Sequence, residues 1–305
     1  MFEKVSRNHI DKVADRIAGA IVDLAYTIEE APKIAVEVLI GHHKCFVMIE
    51  SSINNFSVDN KNSYQVIQEI VDRIAGKNFK LDLTIVPQDP HLAENQVDTV
   101  KCGDNGIFRG VKVSEEERVL SRLAKYIDSN IVSSDGKYLI NDDYITICQS
   151  GVDDTELLAK VLDQLKDYDY QITINPLGSW SSDLNNDTGV TGRKVGSDLG
   201  RGATGGAICG KDLSKADVSI NIFLYLLCNK FNTLCYYASA KLLNSLKKIG
   251  KNNCLYGIEA TCNIGDKDVL IGGEVVSFED IIDAVRRYIL IDIGGFEKLA
   301  EWGLV

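Results

Sequence analysis

A repeated order of predicted elements constrains the fold of this chain most strongly. A pair of strands followed by a helix recurs three times. Alternating apolar residues predict one hairpin from Ile34–Ile40 and Lys44–Glu50, and a second from Lys137–Ile140 and Tyr144–Cys148. Further strands are predicted at Leu81–Val86, Tyr170–Asn175, Cys254–Cys262 and Val269–Ile271. Helical spacing of apolar residues predicts helices over residues 8–26, 63–75, 115–127, 154–165, 218–249 and 278–290.

This order predicts an α+β fold in which each of three small sheets is covered by helices, a two-layer α/β arrangement. We place the domains at residues 1–103, 104–178 and 179–305. Within the first helix, Asn8 and Asp11 resemble a capping pair, which puts His9 in the first turn with its side chain free to leave the core face.

Composition excludes several classes of protein. The 305 residues are 45% hydrophobic and carry a net charge of −11, which argues against nucleic-acid or membrane-surface binding. Eight cysteines without a CxxC motif indicate free thiols in a reducing cytosol rather than a zinc site or a disulfide framework. No signal peptide is predicted, and the most apolar run, Ile222–Cys228, is too short to span a bilayer.

The stretch from Ile174 to Asp217 carries the clearest chemical signal. Glycine-rich sequence lies between two basic elements, and acidic residues bracket the set. Glycines allow a backbone to approach a ligand closely, while clustered cations suit a polyphosphate. The carboxylates could hold a metal ion or an ammonium group. The stretch therefore indicates chemistry on a nucleoside triphosphate. The charged residues that carry this signal are Arg193, Lys194, Lys211, Lys215, Asp187 and Asp217.

A P-loop does not explain this stretch. The run from Gly205 to Asp212 nearly matches GxxxxGK[ST], but Asp212 stands where a magnesium-binding Ser or Thr is needed. The preceding residues 200–204 do not read as an apolar strand. Phosphate binding by backbone amides and Lys211 remains compatible with the sequence without that fold.

The same stretch resembles the S-adenosylmethionine synthetase (methionine adenosyltransferase) family. The resemblance rests on TGRK at 191–194, on the glycine run that closes in GKD at 210–212, and on SKAD at 214–217. NHIDK at 8–12, CGDNG at 102–106 and SDGK at 134–137 are similar to further family motifs in the same order.

The resemblance implies three related domains around a pseudo-threefold axis and a homodimer, possibly a tetramer, with active sites shared between subunits. It implies that S-adenosylmethionine is made from ATP and L-methionine, that triphosphate is then cleaved to phosphate and diphosphate, and that two Mg²⁺ and K⁺ are used. A cytoplasmic enzyme of one-carbon metabolism without nucleic-acid or membrane partners is expected.

The resemblance also implies roles for individual residues. Catalytic roles fall on His9, Lys137, Arg193 and Lys211. Contacts to ATP fall on His9, Asp104, Asp135, Lys137, Trp180, Asp187, Arg193, Lys194 and Lys211. Methionine contacts fall on Glu50, Gln88, Asp187 and Lys215. Magnesium ligands are Asp11 and Asp217, and the potassium ligand is Glu37.

Departures from the family pattern leave alternatives open. The glycine-rich loop of the family is replaced by residues 178–187, where Trp180 stands in for the phenylalanine that stacks on adenine. A non-catalytic nucleotide-binding or regulatory homologue is the first alternative. An unrelated ATP-dependent kinase or ligase is the second.

Overall fold

The protein contains three four-stranded sheets with helices packed against them. A computed structural model describes residues 1–90, 99–202, 206–250 and 257–305. The strands are β1 (Phe2–Val5), β2 (Ile34–Gly41), β3 (Lys44–Ser51), β4 (Lys80–Pro87), β5 (Gly106–Gly110), β6 (Gly136–Asn141), β7 (Tyr144–Gln149), β8 (Gln171–Ile174), β9 (Thr188–Val190), β10 (Ile258–Cys262), β11 (Asp268–Ile271) and β12 (Glu274–Ser277).

The helices lie between and after these strands. They are α1 (Ile10–Ile28), α2 (Ser63–Ala75), α3 (Glu115–Asn130), α4 (Asp154–Gln164), α5 (Val195–Leu199), α6 (Ala216–Asn229), α7 (Phe231–Tyr237), α8 (Ala240–Ile249), α9 (Phe278–Arg287) and α10 (Phe296–Trp302). A 3₁₀ turn spans Gly200–Gly202, and a π-helix spans Tyr288–Ile293. No helix in the described part of the chain is long and apolar enough to cross a membrane.

The strand orders are β1-β6-β7-β8, β4-β3-β2-β9 and β12-β11-β10-β5. The predicted α+β fold with three sheets and covering helices is confirmed, as are both predicted hairpins. Strands β1, β5, β9 and β12 are not predicted by periodicity, because three to five residues are too few to show a clear alternation.

Two predicted elements differ from the structure. The helix predicted over 218–249 is divided into α6, α7 and α8. The last break falls at Ser239, whose hydroxyl accepts a hydrogen bond from the Leu242 amide and so begins a new helix. Residues 254–256 of the strand predicted at Cys254–Cys262 lie outside the described part, as does Gly205 of the glycine-rich run.

Each sheet takes one strand from a distant part of the chain. Strand β1 pairs with β6, β5 pairs with β10, and β9 pairs with β2. In each pairing the two strands lie on opposite sides of a boundary that the sequence suggests at 103 or 178, so the sheets do not follow these boundaries. The boundaries and the pseudo-threefold axis stay proposals.

The sheet β4-β3-β2-β9 has two different faces, and this difference positions the site. Its inner residues pack against α1, and on β2 these are Ile34, Val36, Val38 and Ile40. Its outer face exposes apolar side chains to solvent: Leu39 is 41% exposed, Phe46 43% and Met48 54%. We call the surface formed by these three residues, together with Asp82 and Thr84 of β4, the outer face of β2–β3–β4.

Candidate functional site

His9 caps helix α1. Its Nδ1 accepts a hydrogen bond from the Asp11 backbone N–H at 3.2 Å. The prediction that Asn8 forms the cap is wrong, because its side chain instead bonds Asp128 and Ser133. Burial lowers the pKa of His9, and Lys194 and Lys137 lower it further against the opposing effects of Asp135 and Asp11. A neutral imidazole that accepts at Nδ1 carries its proton on Nε2, so His9 can donate from Nε2 to a ligand.

Asp11 connects the start of α1 to the basic loop after β9. Its carboxylate lies 3.1 Å from Lys194 Nζ and 3.8 Å from Arg193 Nη1, and it accepts a hydrogen bond of 2.9 Å from the Val190 amide. Strand β9 passes so close to α1 that a Cβ at Gly189 would lie 2.3 Å from the Ile10 carbonyl oxygen. The glycine therefore permits the approach that brings these cations to Asp11.

Asp135 and Lys137 extend this group from the other side of His9. Burial raises the pKa of Asp135, while His9 and a 3.2 Å hydrogen bond from Ser182 oppose the rise. Asp187 is near enough to raise the pKa of Asp135 further. We call the following residues the His9 cluster: His9, Asp11, Asp135, Lys137, Asp187, Arg193 and Lys194.

A second charged group lies farther along the same edge of β2, where the Val36 amide donates to the Gly210 carbonyl and the Asp212 amide donates to the Ile34 carbonyl. Lys211 Nζ is 2.6 Å from Asp217 Oδ2. Burial acts to lower the pKa of Lys211, but Asp217, Glu37 and Asp104 outweigh it and the pKa is raised. Lys215 in turn opposes the burial that raises the pKa of Asp104. A cleft of about 380 Å³ lies between Lys211, Asp217 and the start of β5. We call Asp104, Lys211, Lys215 and Asp217 the Lys211 cluster.

Glu37 stands between the two clusters. Its carboxylate accepts a hydrogen bond from the hydroxyl of Thr191, two residues before Arg193 in the chain, and raises the pKa of Lys211. In the described residues, no ion pair of 4 Å or less joins the His9 cluster directly to the Lys211 cluster. One chain therefore presents two charged half-sites with Glu37 between them.

In the described residues, no side-chain hydrogen bond or ion pair joins the residues that are predicted to bind methionine, and their shared role stays a prediction. Glu50 is the penultimate residue of β3, and the parallel pairing with β4 brings it near Gln88, whose amide donates to the Ser51 carbonyl. Glu50 accepts a hydrogen bond of 3.3 Å from the Asp89 amide. Asp187 belongs instead to the His9 cluster, and Lys215 to the Lys211 cluster. Trp180 is 39% exposed and donates from Nε1 to Asn175 Oδ1 at 3.3 Å.

A buried ion network escapes the sequence prediction. Lys12 Nζ lies 3.0 Å from Asp15 and 2.6 Å from Asp198, and all three side chains are at most 3% exposed. Asp15 also accepts a hydrogen bond of 2.8 Å from the Gly192 amide and so holds the loop that carries Arg193. The i,i+3 spacing of Lys12 and Asp15 is the only sequence signal, and it gives no indication of Asp198.

The charges of this network give a testable pH dependence. The Lys12 ammonium is the counter-charge of two carboxylates, those of Asp15 and Asp198. Burial raises the pKa of Asp15 from 3.8 to about 6, and the nearby charge of Asp198 adds to the rise. Folded Asp15 then holds a proton more tightly than unfolded Asp15, so its stabilising contribution is present below about pH 4 and lost as the pH rises through about 6.

We expect the free energy of unfolding of the wild type to fall relative to Asp15→Asn by up to about 3 kcal/mol between about pH 4 and pH 7. The amide removes the titration while keeping an acceptor for Gly192. Urea unfolding at several pH values measures both proteins, and a constant difference between them would contradict the assignment.

The fold and the two clusters define a class: three-sheet α+β proteins that hold two charged groups suited to a polyphosphate along one edge of a sheet strand. Residues 1–88 match the family model for the S-adenosylmethionine synthetase N-terminal domain. The S-adenosylmethionine synthase of Mycoplasma mycoides subsp. mycoides is 26% identical over 269 residues, covering 71% of this chain and 68% of that protein. The Thermus thermophilus synthase is 27% identical over 282 residues, covering 72% and 71%.

A solved structure agrees in fold. It is described as an unusual S-adenosylmethionine synthetase from Campylobacter jejuni, with a TM-score of 0.67 and 17% identity over 100% of this chain and 94% of that one. The matches over residues 1–88 and over 71% of the chain make this chain a divergent relative of the S-adenosylmethionine synthetases.

Proposed function

We propose that the protein is an active methionine adenosyltransferase, which forms S-adenosylmethionine from ATP and L-methionine. Triphosphate leaves whole and is then cleaved to phosphate and diphosphate. The observation that carries the proposal is the pair of charged clusters, which retain the expected cations and carboxylates. A protein that had lost the activity would have had no chemical reason to keep both sets.

The reaction needs positive charge more than it needs a base. A thioether sulfur has no proton to lose when it attacks C5′ of the ribose, whereas negative charge builds up on the departing triphosphate. Fixed donors aimed at such charge lower the barrier. In our proposal one part of the triphosphate is bound by Arg193, Lys194 and the Nε2–H of His9. Another part is bound by Lys137 and Lys211.

Metal binding is compatible with the carboxylates present. Asp217 Oδ1 is buried and has no hydrogen-bond partner in the described residues, while Oδ2 pairs with Lys211. A free carboxylate oxygen suits Mg²⁺. We propose that Asp217 and Asp11 hold two Mg²⁺ and that Glu37 holds K⁺. These ions would neutralise phosphate charge and help triphosphate cleavage.

The two half-sites suggest a homodimer, possibly paired again into a tetramer. Leu39, Phe46 and Met48 form an apolar patch on β2 and β3, next to the segments that carry the clusters, and such patches mark interaction surfaces. We propose that the outer face of β2–β3–β4 packs against a second copy, so that each site combines one chain's His9 cluster with its partner's Lys211 cluster. Glu50, Gln88, Asp187 and Lys215 then converge on methionine from both chains, in a cytoplasmic enzyme.

The direct test is incubation with ATP, L-methionine, Mg²⁺ and K⁺, followed by mass detection of products. We expect S-adenosylmethionine, phosphate and diphosphate. Folded protein that forms no product would contradict the proposal, and calorimetric ATP binding without turnover would select the non-catalytic homologue. ADP as the product would select a kinase or ligase, because sulfur attack at C5′ cannot release ADP.

A further inference from the structure

A second positively charged cleft lies away from both clusters. It has a volume of about 420 Å³ and lies between α3, the junction of α6 and α7, and the π-helix. Four of its lining residues are cationic and none is Asp or Glu: Arg118, Arg122, Lys125 and Lys230. In a chain of net charge −11, such a concentration of positive charge needs an explanation.

The two lysines of this cleft have no carboxylate partner within 4 Å in the described part of the chain. Lys125 Nζ instead lies 6.0 Å from the centre of the Trp302 ring, and Lys230 Nζ lies over Tyr288 and donates to its hydroxyl at 3.1 Å. Burial lowers the pKa of Lys125, and Lys230 lowers it further. The two ammonium groups thus repel each other, whereas the arginines share Glu115.

An unpaired hydroxyl lines the same cleft. Ser121 is 4% exposed, and its Oγ has no hydrogen-bond partner in the described structure. A buried polar group without a partner costs about 1–3 kcal/mol, so such groups are uncommon unless a ligand or water completes them. The hydroxyl is independent of the lysines, yet it points to the same kind of occupant: an anion rich in oxygen acceptors.

We propose that this cleft binds the dianionic phosphate group of a small molecule at a site separate from the His9 and Lys211 clusters. Two lysines match the double charge as point cations, and a tetrahedral phosphate offers several oxygens to the Ser121 hydroxyl at once. The volume leaves room for an organic body attached to the phosphate. Free phosphate and a phosphomonoester share this chemistry.

The test is isothermal titration calorimetry at low salt with two probes, inorganic phosphate and phenyl phosphate. The protein carries Arg193→Ala and Lys211→Ala, so that binding at the proposed polyphosphate site is weakened. In this background, Lys125→Gln with Lys230→Gln should weaken binding by about tenfold or more, because two charge-assisted contacts are lost. Lys61→Gln with Lys160→Gln removes the same charge at exposed pairs elsewhere and should change nothing. Tighter binding of phenyl phosphate identifies an ester as the occupant, and equal binding identifies free phosphate.

Ser121→Ala separates binding from folding. Removing an unpaired buried hydroxyl should leave Tm unchanged or raised without phosphate, yet weaken phosphate binding by about fivefold. The proposal is overturned if neither probe binds, or if the lysine substitutions leave binding unchanged. Neither outcome depends on S-adenosylmethionine formation, which the cleft substitutions should leave unchanged when they are made in the otherwise wild-type chain.

Discussion

Replacing Lys211 with alanine should lower the rate of S-adenosylmethionine formation by about 100- to 1,000-fold, the usual cost of losing one donor to developing negative charge. The substitution removes the cation that lies 2.6 Å from Asp217 and leaves that carboxylate to repel the triphosphate. Mass detection of product under saturating ATP and methionine gives the rate.

Lys61→Ala is the matched control, because Lys61 also pairs with a carboxylate at 2.8 Å but does so in solvent, far from either cluster in the chain. It should retain the wild-type rate. A Lys211→Ala protein that is folded and within threefold of the wild-type rate would remove Lys211 from the site.

Mixing two inactive variants tests the shared site. In a dimer of Arg193→Ala and Lys211→Ala chains, one site carries both substitutions and the other carries neither. Random pairing should therefore restore about a quarter of the wild-type rate, since half the dimers are mixed and each has one intact site. No recovery after the subunits have exchanged would show that both clusters act within a single chain.

Replacing Lys12 with methionine should lower the free energy of unfolding by about 3–5 kcal/mol, the largest effect on stability that the structure predicts. Methionine fills a similar volume but leaves Asp15 and Asp198 buried without a counter-charge. Urea unfolding at neutral pH measures the loss.

Two further variants show whether the loss of stability in Lys12→Met comes from the buried charges. Lys61→Met breaks a pair whose members are 46% and 58% exposed and should cost about 0–1 kcal/mol. Adding Asp15→Asn and Asp198→Asn to Lys12→Met removes the uncompensated charges and should recover part of the stability. A loss below about 1 kcal/mol for Lys12→Met would contradict the prediction, because it would mean that water or a proton compensates the charges of Asp15 and Asp198.

Local motifs pointed to residues that the structure brings close together, although their roles stay predictions. Arg193 and Lys194 follow a TGVTG segment, and both lie within 3.8 Å of Asp11. The capping assignment to Asn8 was wrong because Asn, Asp and His can all accept from an amide, and only the backbone path decides which one does. Periodicity therefore found the helix but not its first residue.

Other parts depend on contacts that sequence spacing does not contain. Asp198 reaches Lys12 across 186 residues, and the proximity of Asp135 to His9 arises because β1 pairs with β6. Such relations are set by tertiary packing, and a single sequence records them only where a family motif happens to preserve them.

The pairing of distant strands also dictates how this chain is assembled during translation. Strand β1 leaves the ribosome long before β6, and β5 long before β10. Each nascent strand therefore waits with an unpaired edge while more than a hundred residues are synthesised, a period in which exposed edges favour aggregation. Complete pairing of these two sheets thus has to wait until the later strands β6 and β10 have been synthesised.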